Sequence, residues 1–262
     1  MPKVRDIVNY FEALVPPEMK MDFDNVGLLV GTAETEVTRA LCALDISEQV
    51  IEEAIAENVQ LILSHHPMFF ELKSVTDNSI TGRKVIRLLT NGISAFCQHT
   101  NLDSVDGGVN DALAKAIGVK TEGKLEEHST QSGIVHGIGR YGQLTAPMPL
   151  CEYAEYIKKA LGSNGIRYCD SGTPAYKVAL CGGSGGDYIQ RAIELGCDTL
   201  VTADVKYHQM LDAKELGLNI IDADHFCTEN VVIAPLAEML KKGFPELEVI
   251  ISRTWTQTAQ FC

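Results

Sequence analysis

QLILSHHP, residues 60–67, is the stretch on which the reading of the fold turns. Leu61, Ile62 and Leu63 form an unbroken apolar run, as in a strand buried on both faces. Pro67 stops it, because proline has no N–H to give to a ladder. Working outward, RALCALDIS (39–47) and ISAFCQHT (93–100) repeat the pattern, and both are separated from it by helical spacing. SEQVIEEAIAENV (47–59) predicts a helix capped by Ser47, and TGRKVIRLLTNG (81–92) a second. MPKVRDIVNYFEALVP (1–16) puts Val4, Ile7, Val8, Phe11 and Leu14 on one helical side. Strand and helix in alternation indicate a parallel sheet covered by helices on both faces.

Past Gly118 the texture changes. TEGKLEEHSTQ (121–131) is polar, and SGIVHGIGRYGQLTAPMPL (132–150) alternates with glycine punctuation, which suits antiparallel strands. CEYAEYIKKALG (151–162) is a helix, after which AYKVALCG (175–182), CDTLVTAD (197–204), LNIIDADH (218–225) and LEVIIS (247–252) read as strands with helices between them. The expectation is an α/β chain of two three-layer α/β/α domains of similar topology. Their sheets are largely parallel or mixed, and a metal site lies between them. The boundary is placed at 1–125 and 126–262, with the C-terminal segment free to pack back on the first domain. No element is expected for RTWTQTAQFC (253–262).

The chain has 262 residues and a formal charge of -13 from 22 basic and 35 acidic side chains. That balance disfavours nucleic acid and anionic membrane, since phosphate contacts need clustered Lys and Arg. The eight cysteines fall singly, with no CxxC, and read as reduced, buried thiols of a cytoplasmic protein.

Polar residues collect where strands end, which is where open α/β sheets bind ligands. Asp45 ends one strand, His65 and His66 the next, and His99 with Asp103 the third; Asp204 and His225 end strands of the second half. Pro67 breaks the strand beside the two histidines, allowing both imidazoles to turn toward one crevice. His225 and Glu229 are four apart at a strand-to-helix junction and can face one point. Asp103 offers a carboxylate from a Gly-flanked loop, suited to bridging two cations. Alone, each of these reads as ordinary structure; their joint placement favours two divalent metal ions (Zn, Mn, Fe, Co, Ni or Mg). Asp45, Asp204 and His208 are candidates for orienting ligands or moving protons. Gly137, Gly139 and Gly142 spell G-x-G-x-x-G, but no helix opens there, so a turn or bulge is expected. The loop Gly182–Gly186 lies between strand and helix without a Walker lysine, which leaves a tight turn or an anion contact. His128 and His136 are read as surface or core residues.

FDNVGLLVG (23–31), LSHHP (63–67), HTNLD (99–103) with GGVND (107–111), GGSGGD (182–187), VTADVKYH (201–208) and DADHFCTEN (222–230) occur in that order. Together they resemble the GTP cyclohydrolase I type 2 family, also described as NGG-interacting-factor-three-like proteins. The resemblance runs from the first helix to about residue 252. It implies a dinuclear centre held by His65, His66, Asp103, His225 and Glu229, and a ring-shaped homohexamer whose metal sites face an internal cavity. It further implies a metal-dependent hydrolase of GTP or a related nucleotide. Two departures stand out: Phe23 replaces an aromatic that is often Trp, and Asp224 stands where glycine usually precedes the last histidine. From the ligands alone, other readings stay open: a phosphoesterase or amidohydrolase on another small metabolite, or a non-catalytic, oligomeric metal-binding scaffold.

Overall fold

The apolar runs quoted above form the strands of two sheets, seen in a computed structural model that describes residues 1–254 and 256–262. In chain order the elements begin with α1 (Val4–Leu14), β1 (Gly27–Val30), β2 (Arg39–Ala43), α2 (Glu48–Ala56), β3 (Leu61–Ser64), α3 (Ile80–Thr90), β4 (Ser94–Cys97) and α4 (Thr100–Ser104). There follow α5 (Val109–Ala116), β5 (Lys120–Gly123), β6 (Glu126–Ser129), β7 (Val135–Ile138), β8 (Arg140–Met148), α6 (Leu150–Ala160), β9 (Arg167–Cys169) and β10 (Ala175–Ser184). The chain closes with α7 (Ile189–Glu194), β11 (Thr199–Ala203), α8 (Tyr207–Glu215), β12 (Asn219–Asp222), α9 (His225–Glu229), α10 (Ile233–Gly243) and β13 (Glu248–Ile251).

The first unit comprises residues 1–102 and 233–256. Its sheet has the order β1-β4-β3-β2-β13, with β4, β3, β2 and β13 mutually parallel and β1 antiparallel at the edge. Alternate residues serve opposite faces. Leu41, Ile62 and Ala95 meet Val50, Ile51 and Ala54 of α2 and Val85 and Leu88 of α3. On the other face Phe96 meets Phe11 of α1 edge-on at 5.9 Å, and Tyr10 meets Phe244 just past α10 at 5.4 Å. Ser47 caps α2 by accepting the Val50 N–H at 3.1 Å, and Ser79 caps α3 through Gly82 at 2.9 Å.

The second unit comprises residues 103–232 and 257–262. Its sheet runs β5-β8-β10-β11-β12-β9, with a parallel core of β10, β11 and β12 flanked by antiparallel strands, and β6 and β7 form a separate hairpin. Leu113 of α5 and Tyr153 and Ile157 of α6 pack against Val178, Leu180, Val201 and Ile221 on one face. The glycine triplet 137/139/142 falls in β7, the β7–β8 turn and β8, with Gly139 at φ +64° and no helix after it.

The division therefore falls at Leu102/Asp103 rather than near residue 125. Helix α5 follows the alternation of the first sheet in sequence, yet Leu113, Ala114 and Ile117 are buried in the second core. Residues 233–256 return to the first unit, where β13 pairs with β2. Asp103 sits on the short helix α4, not on a flexible loop: the Leu102 N–H donates to the His99 carbonyl at 2.8 Å, and residues 100–104 are buried. The polar stretch 121–131 supplies most of β5 and all of β6. Five cysteines are buried, but Cys151 and Cys262 are exposed and Cys169 is half-buried. Burial pushes Cys42 and Cys227 up to about 12. Trp255, within the tail 253–262, lies outside the described residues; the rest of that tail carries neither helix nor strand. Among the described residues no helix is long and apolar enough to cross a membrane.

One carboxylate fastens the chain beyond β13. Glu53 of α2 accepts from Ser252 Oγ at 2.6 Å, the Arg253 N–H at 3.0 Å and Thr254 Oγ1 at 3.0 Å. Burial acts to raise its pKa, but these donors outweigh it and hold it below its ordinary value of 4.5. A depressed carboxyl stabilises the fold above the unfolded pKa and ceases to do so as pH falls through the folded one. Glu53→Gln is expected to cost about 1 kcal/mol at neutral pH. The gap in Tm between wild type and variant should shrink below pH 4.5; a gap independent of pH would refute this account.

Candidate metal centre

In the first unit the candidate ligands follow three neighbouring parallel strands. After β3 the His65 N–H donates to the Ala43 carbonyl at 3.2 Å and the His66 N–H to the Leu44 carbonyl at 2.8 Å. In a regular ladder only alternate residues donate to a given neighbour, so two in succession break the opposite-face rule. Both imidazoles consequently lie together, with ring centroids 5.0 Å apart. Ser64 Oγ holds the turn by donating to the His66 carbonyl at 2.9 Å.

Three histidines here share one device. His65 Nδ1 meets the Gln98 carbonyl at 2.9 Å, His66 Nδ1 meets Asp45 Oδ1 at 2.9 Å, and His99 Nδ1 meets Asp24 Oδ1 at 2.8 Å. A carbonyl oxygen can only accept, so Nδ1 of His65 carries the proton and Nε2 the lone pair. A carboxylate imposes the same tautomer on His66 and His99. This is the orientation that metal-binding imidazoles take from their outer partners. Candidate ligand atoms of His65, His66 and His99 all lie within 4.8 Å of one another. His65 is fully buried, which keeps its lone pair out of bulk water.

Asp24 and His99 were absent from the predicted ligand set. The signal was present, since His99 ends the third strand, but Asp24 lies 75 residues away and spacing cannot connect them. Burial would raise the Asp24 carboxyl; hydrogen bonds from His99 and Thr100 outweigh it and hold it well below the usual carboxylate range. Its Oδ1 serves His99, and its Oδ2 serves the Thr100 N–H at 3.0 Å. In Asp24→Asn one of these oxygens becomes an NH₂ facing a donor. The variant is expected to lose about 1–3 kcal/mol of stability and ~10–100-fold in metal affinity. Calorimetry with zinc and manganese checks this, and wild-type affinity would show that His99 needs no such support.

In the second unit Asp204 follows β11, and α9 follows β12 directly. Asp224 caps α9, accepting the Cys227 N–H at 3.2 Å, from a φ of +73°. That left-handed backbone suits the glycine usual at this position, and the cap offsets part of the strain. His225 Nδ1 meets Asp204 Oδ2 at 2.6 Å, while His225 Nε2 stands 3.0 Å from Glu229 Oε2. Two ligands each about 2.1 Å from one cation are roughly 3.0–3.4 Å apart, so this pair has the spacing of one coordination edge.

Glu229 is buried, and a glycine makes its room. A Cβ on Gly183, at φ +63°, would fall 2.2 Å from Glu229 Oε1 and 3.2 Å from His225 Cε1. The Gly183 N–H donates to Thr228 Oγ1 at 3.0 Å, fixing β10 against α9. Asn110 Nδ2 donates to the Asp103 carbonyl at 3.0 Å, and its Oδ1 accepts the Gly182 N–H at 3.0 Å. The Cys181 thiol is held up first by burial and then by the charges of Asp103 and Glu229. The glycine-rich segment is thus the end of a strand and the floor under Glu229. His208 is exposed on α8, edge-on to Tyr207 at 5.2 Å, and His128 pairs with His136 across the β6–β7 hairpin.

Imidazole nitrogens with fixed lone pairs and buried carboxylates are a donor set for first-row divalent cations. Fold and site together define an α/β protein with candidate metal-binding His, Asp and Glu groups at its strand ends. The Duf34/NIF3 (NGG1p interacting factor 3) family profile matches residues 2–258, and the chain belongs to that family. A relative from Clostridium perfringens, a GTP cyclohydrolase 1 type 2 homolog, is 40% identical over 254 residues, 96% of each chain. A second, from Clostridium acetobutylicum, bears the same name and is 36% identical over 249 residues, 94% of this chain and 92% of that one. The crystal structure of a Bacillus cereus protein related to NIF3 matches with a TM-score of 0.93 at 26% identity, over 100% of this chain and 99% of that one. A Staphylococcus aureus hypothetical protein gives 0.93 at 29% identity over 100% of both.

Proposed function

We propose that this chain is a dinuclear metal-dependent hydrolase acting on GTP or a related nucleotide, with His65, His66, Asp103, His225 and Glu229 holding two divalent cations. The observation that carries the proposal is the tautomer control: His65, His66 and His225 each give Nδ1 to an oxygen acceptor. Imidazoles fixed in this way present the Nε2 lone pair to a cation. The nucleotide part rests on the name borne by the two clostridial relatives.

When bound, the cations would supply Lewis acidity, acidifying a water and offsetting charge that develops on the substrate. The chain's own residues do the rest. Asp45 and Asp204 keep the Nδ1 protons of His66 and His225 in place and balance part of the cationic charge. Asp103 would help to hold the cations through its carboxylate. His208, exposed on α8, is the candidate for moving protons to solvent. A homohexamer in the cytoplasm completes the proposal.

Metal analysis of the purified protein, followed by turnover assays on GTP, phosphoesters and cyclic amides with each cation restored, tests it. Retained metal with GTP turnover is the expected result. Tight metal with no turnover of any of these compounds would replace the hydrolase by a metal-binding scaffold, and no retained metal would remove the centre.

A further inference from the structure

The loop after α1 presents an aromatic ring to solvent from a backbone held on every side. Lys20 Nζ donates to the Asp24 carbonyl at 2.8 Å, and the Met21 N–H to Thr100 Oγ1 at 2.9 Å. Asp24 is fastened to His99 and Thr100. Asn25 Nδ2 donates to the Phe69 carbonyl at 2.9 Å, tying this loop to the segment that follows His66. Phe23 and Phe70 stand on these two linked segments, 64% and 54% exposed, with ring centroids 6.0 Å apart. The Phe70 ring lies 6.1 Å from that of His99, which is 5.2 Å from His65 and 5.5 Å from His66.

Single exposed apolar side chains are ordinary and need no explanation. These two differ in three respects: they are adjacent, Asn25 of one segment is hydrogen-bonded to Phe69 of the other, and Phe70 abuts the imidazole cluster. Each leaves more than half of its surface in water, where burial would be favourable. Rigid rings held in water beside a polar cluster suit a ligand with one flat apolar part and one charged part.

We propose that Phe23 and Phe70, whose ring planes are inclined by 58°, form a platform that takes a planar heterocyclic ring face-on against one phenyl and edge-on against the other, so that the substrate class is a compound bearing such a ring next to the group presented to the histidines. The proposal rests on the metal-centre reading above and deepens it. Ring faces stack on any base, so the platform selects flatness, and discrimination among bases belongs to other residues. Leu72, Val75 and Ile80, further along the same segment, are also exposed, which makes burial against a second copy of the chain the competing outcome. The contact of Phe70 with His99 favours the ligand, because a subunit interface has no need of a ring beside the imidazole cluster.

The test compares GTP with tripolyphosphate, which has the charge but no ring. Calorimetric titrations use metal-loaded wild type, Phe23→Ala, Phe70→Ala and Phe23→Trp, with metal content measured on every sample and assembly mass by sedimentation. Wild type should bind GTP more tightly than tripolyphosphate. Each alanine variant should weaken GTP roughly 5- to 150-fold while tripolyphosphate affinity, metal content and mass stay unchanged, and Phe23→Trp should retain GTP binding. The platform is rejected by GTP binding no tighter than tripolyphosphate, by equal losses for both probes, or by alanine variants of lower assembly mass. Wild-type protein that holds no added cation overturns the metal reading and the platform with it, and the metal assay identifies that case separately.

Discussion

Purified His65→Ala protein is expected to retain far less divalent metal than wild type after dialysis against a weak chelator. The loss should exceed the ~10–100-fold that removal of an outer-sphere partner costs, because a ligand itself is gone. His65 is fully buried, and its Nδ1 proton is committed to the Gln98 carbonyl, so no neighbour can replace its Nε2 lone pair without moving the strand end. Truncation also leaves a cavity in the core, which by itself lowers stability. His66→Ala separates the two effects: its side chain is 18% exposed and removes a ligand from a less crowded place. Elemental analysis of both variants decides the matter. Wild-type metal content in both would exclude the paired histidines as ligands, whatever the cause of any loss in Tm.

The second large effect is expected from one added methyl group. In Gly183→Ala the new Cβ would overlap Glu229 Oε1 at 2.2 Å, and the carboxylate has no open side to retreat to because Glu229 is buried. Relief requires Glu229 to swing off His225, breaking the 3.0 Å pair that has the spacing of a coordination edge. The backbone at φ +63° adds roughly 1–2 kcal/mol for any residue with a Cβ. Gly162→Ala is the matched control, since Gly162 has φ +64° with nothing within 4 Å of a Cβ. Both variants should lose the backbone term in thermal unfolding, and only Gly183→Ala should lose metal. Equal metal retention would mean that Glu229 is not held where the glycine lets it stand.

These residues show what a sequence makes legible. The strands were readable because β2, β3 and β4 are apolar on both faces, and Pro67 marked where the run had to stop. Ser47 announced the start of α2. His65, His66, His225 and Glu229 could be picked out because adjacency and a spacing of four are local patterns. Asp24 could not, since its meaning lies in a hydrogen bond to His99, 75 residues away. Helix α4 was hidden because NLDSVDGG has turn chemistry, and a buried peptide ladder overrode it. The role of Gly183 was equally invisible, as a glycine reveals nothing of the side chain whose room it makes. The boundary at Leu102/Asp103 was obscured because α5 continues one alternation in sequence while packing into another core.

The pairing of β13 with β2 carries a consequence for the order of events as the chain is made. Glu248 lies opposite Arg39, and their side chains meet at 2.6 Å across 209 residues of chain. A nascent polypeptide leaves the ribosome N-terminus first, and domains tend to fold as they emerge. The flank of β2 therefore waits, its N–H and C=O groups without a neighbouring strand, until residues 248–251 arrive. The unit whose translation begins first thus waits for a strand made after residues 103–232 of the other.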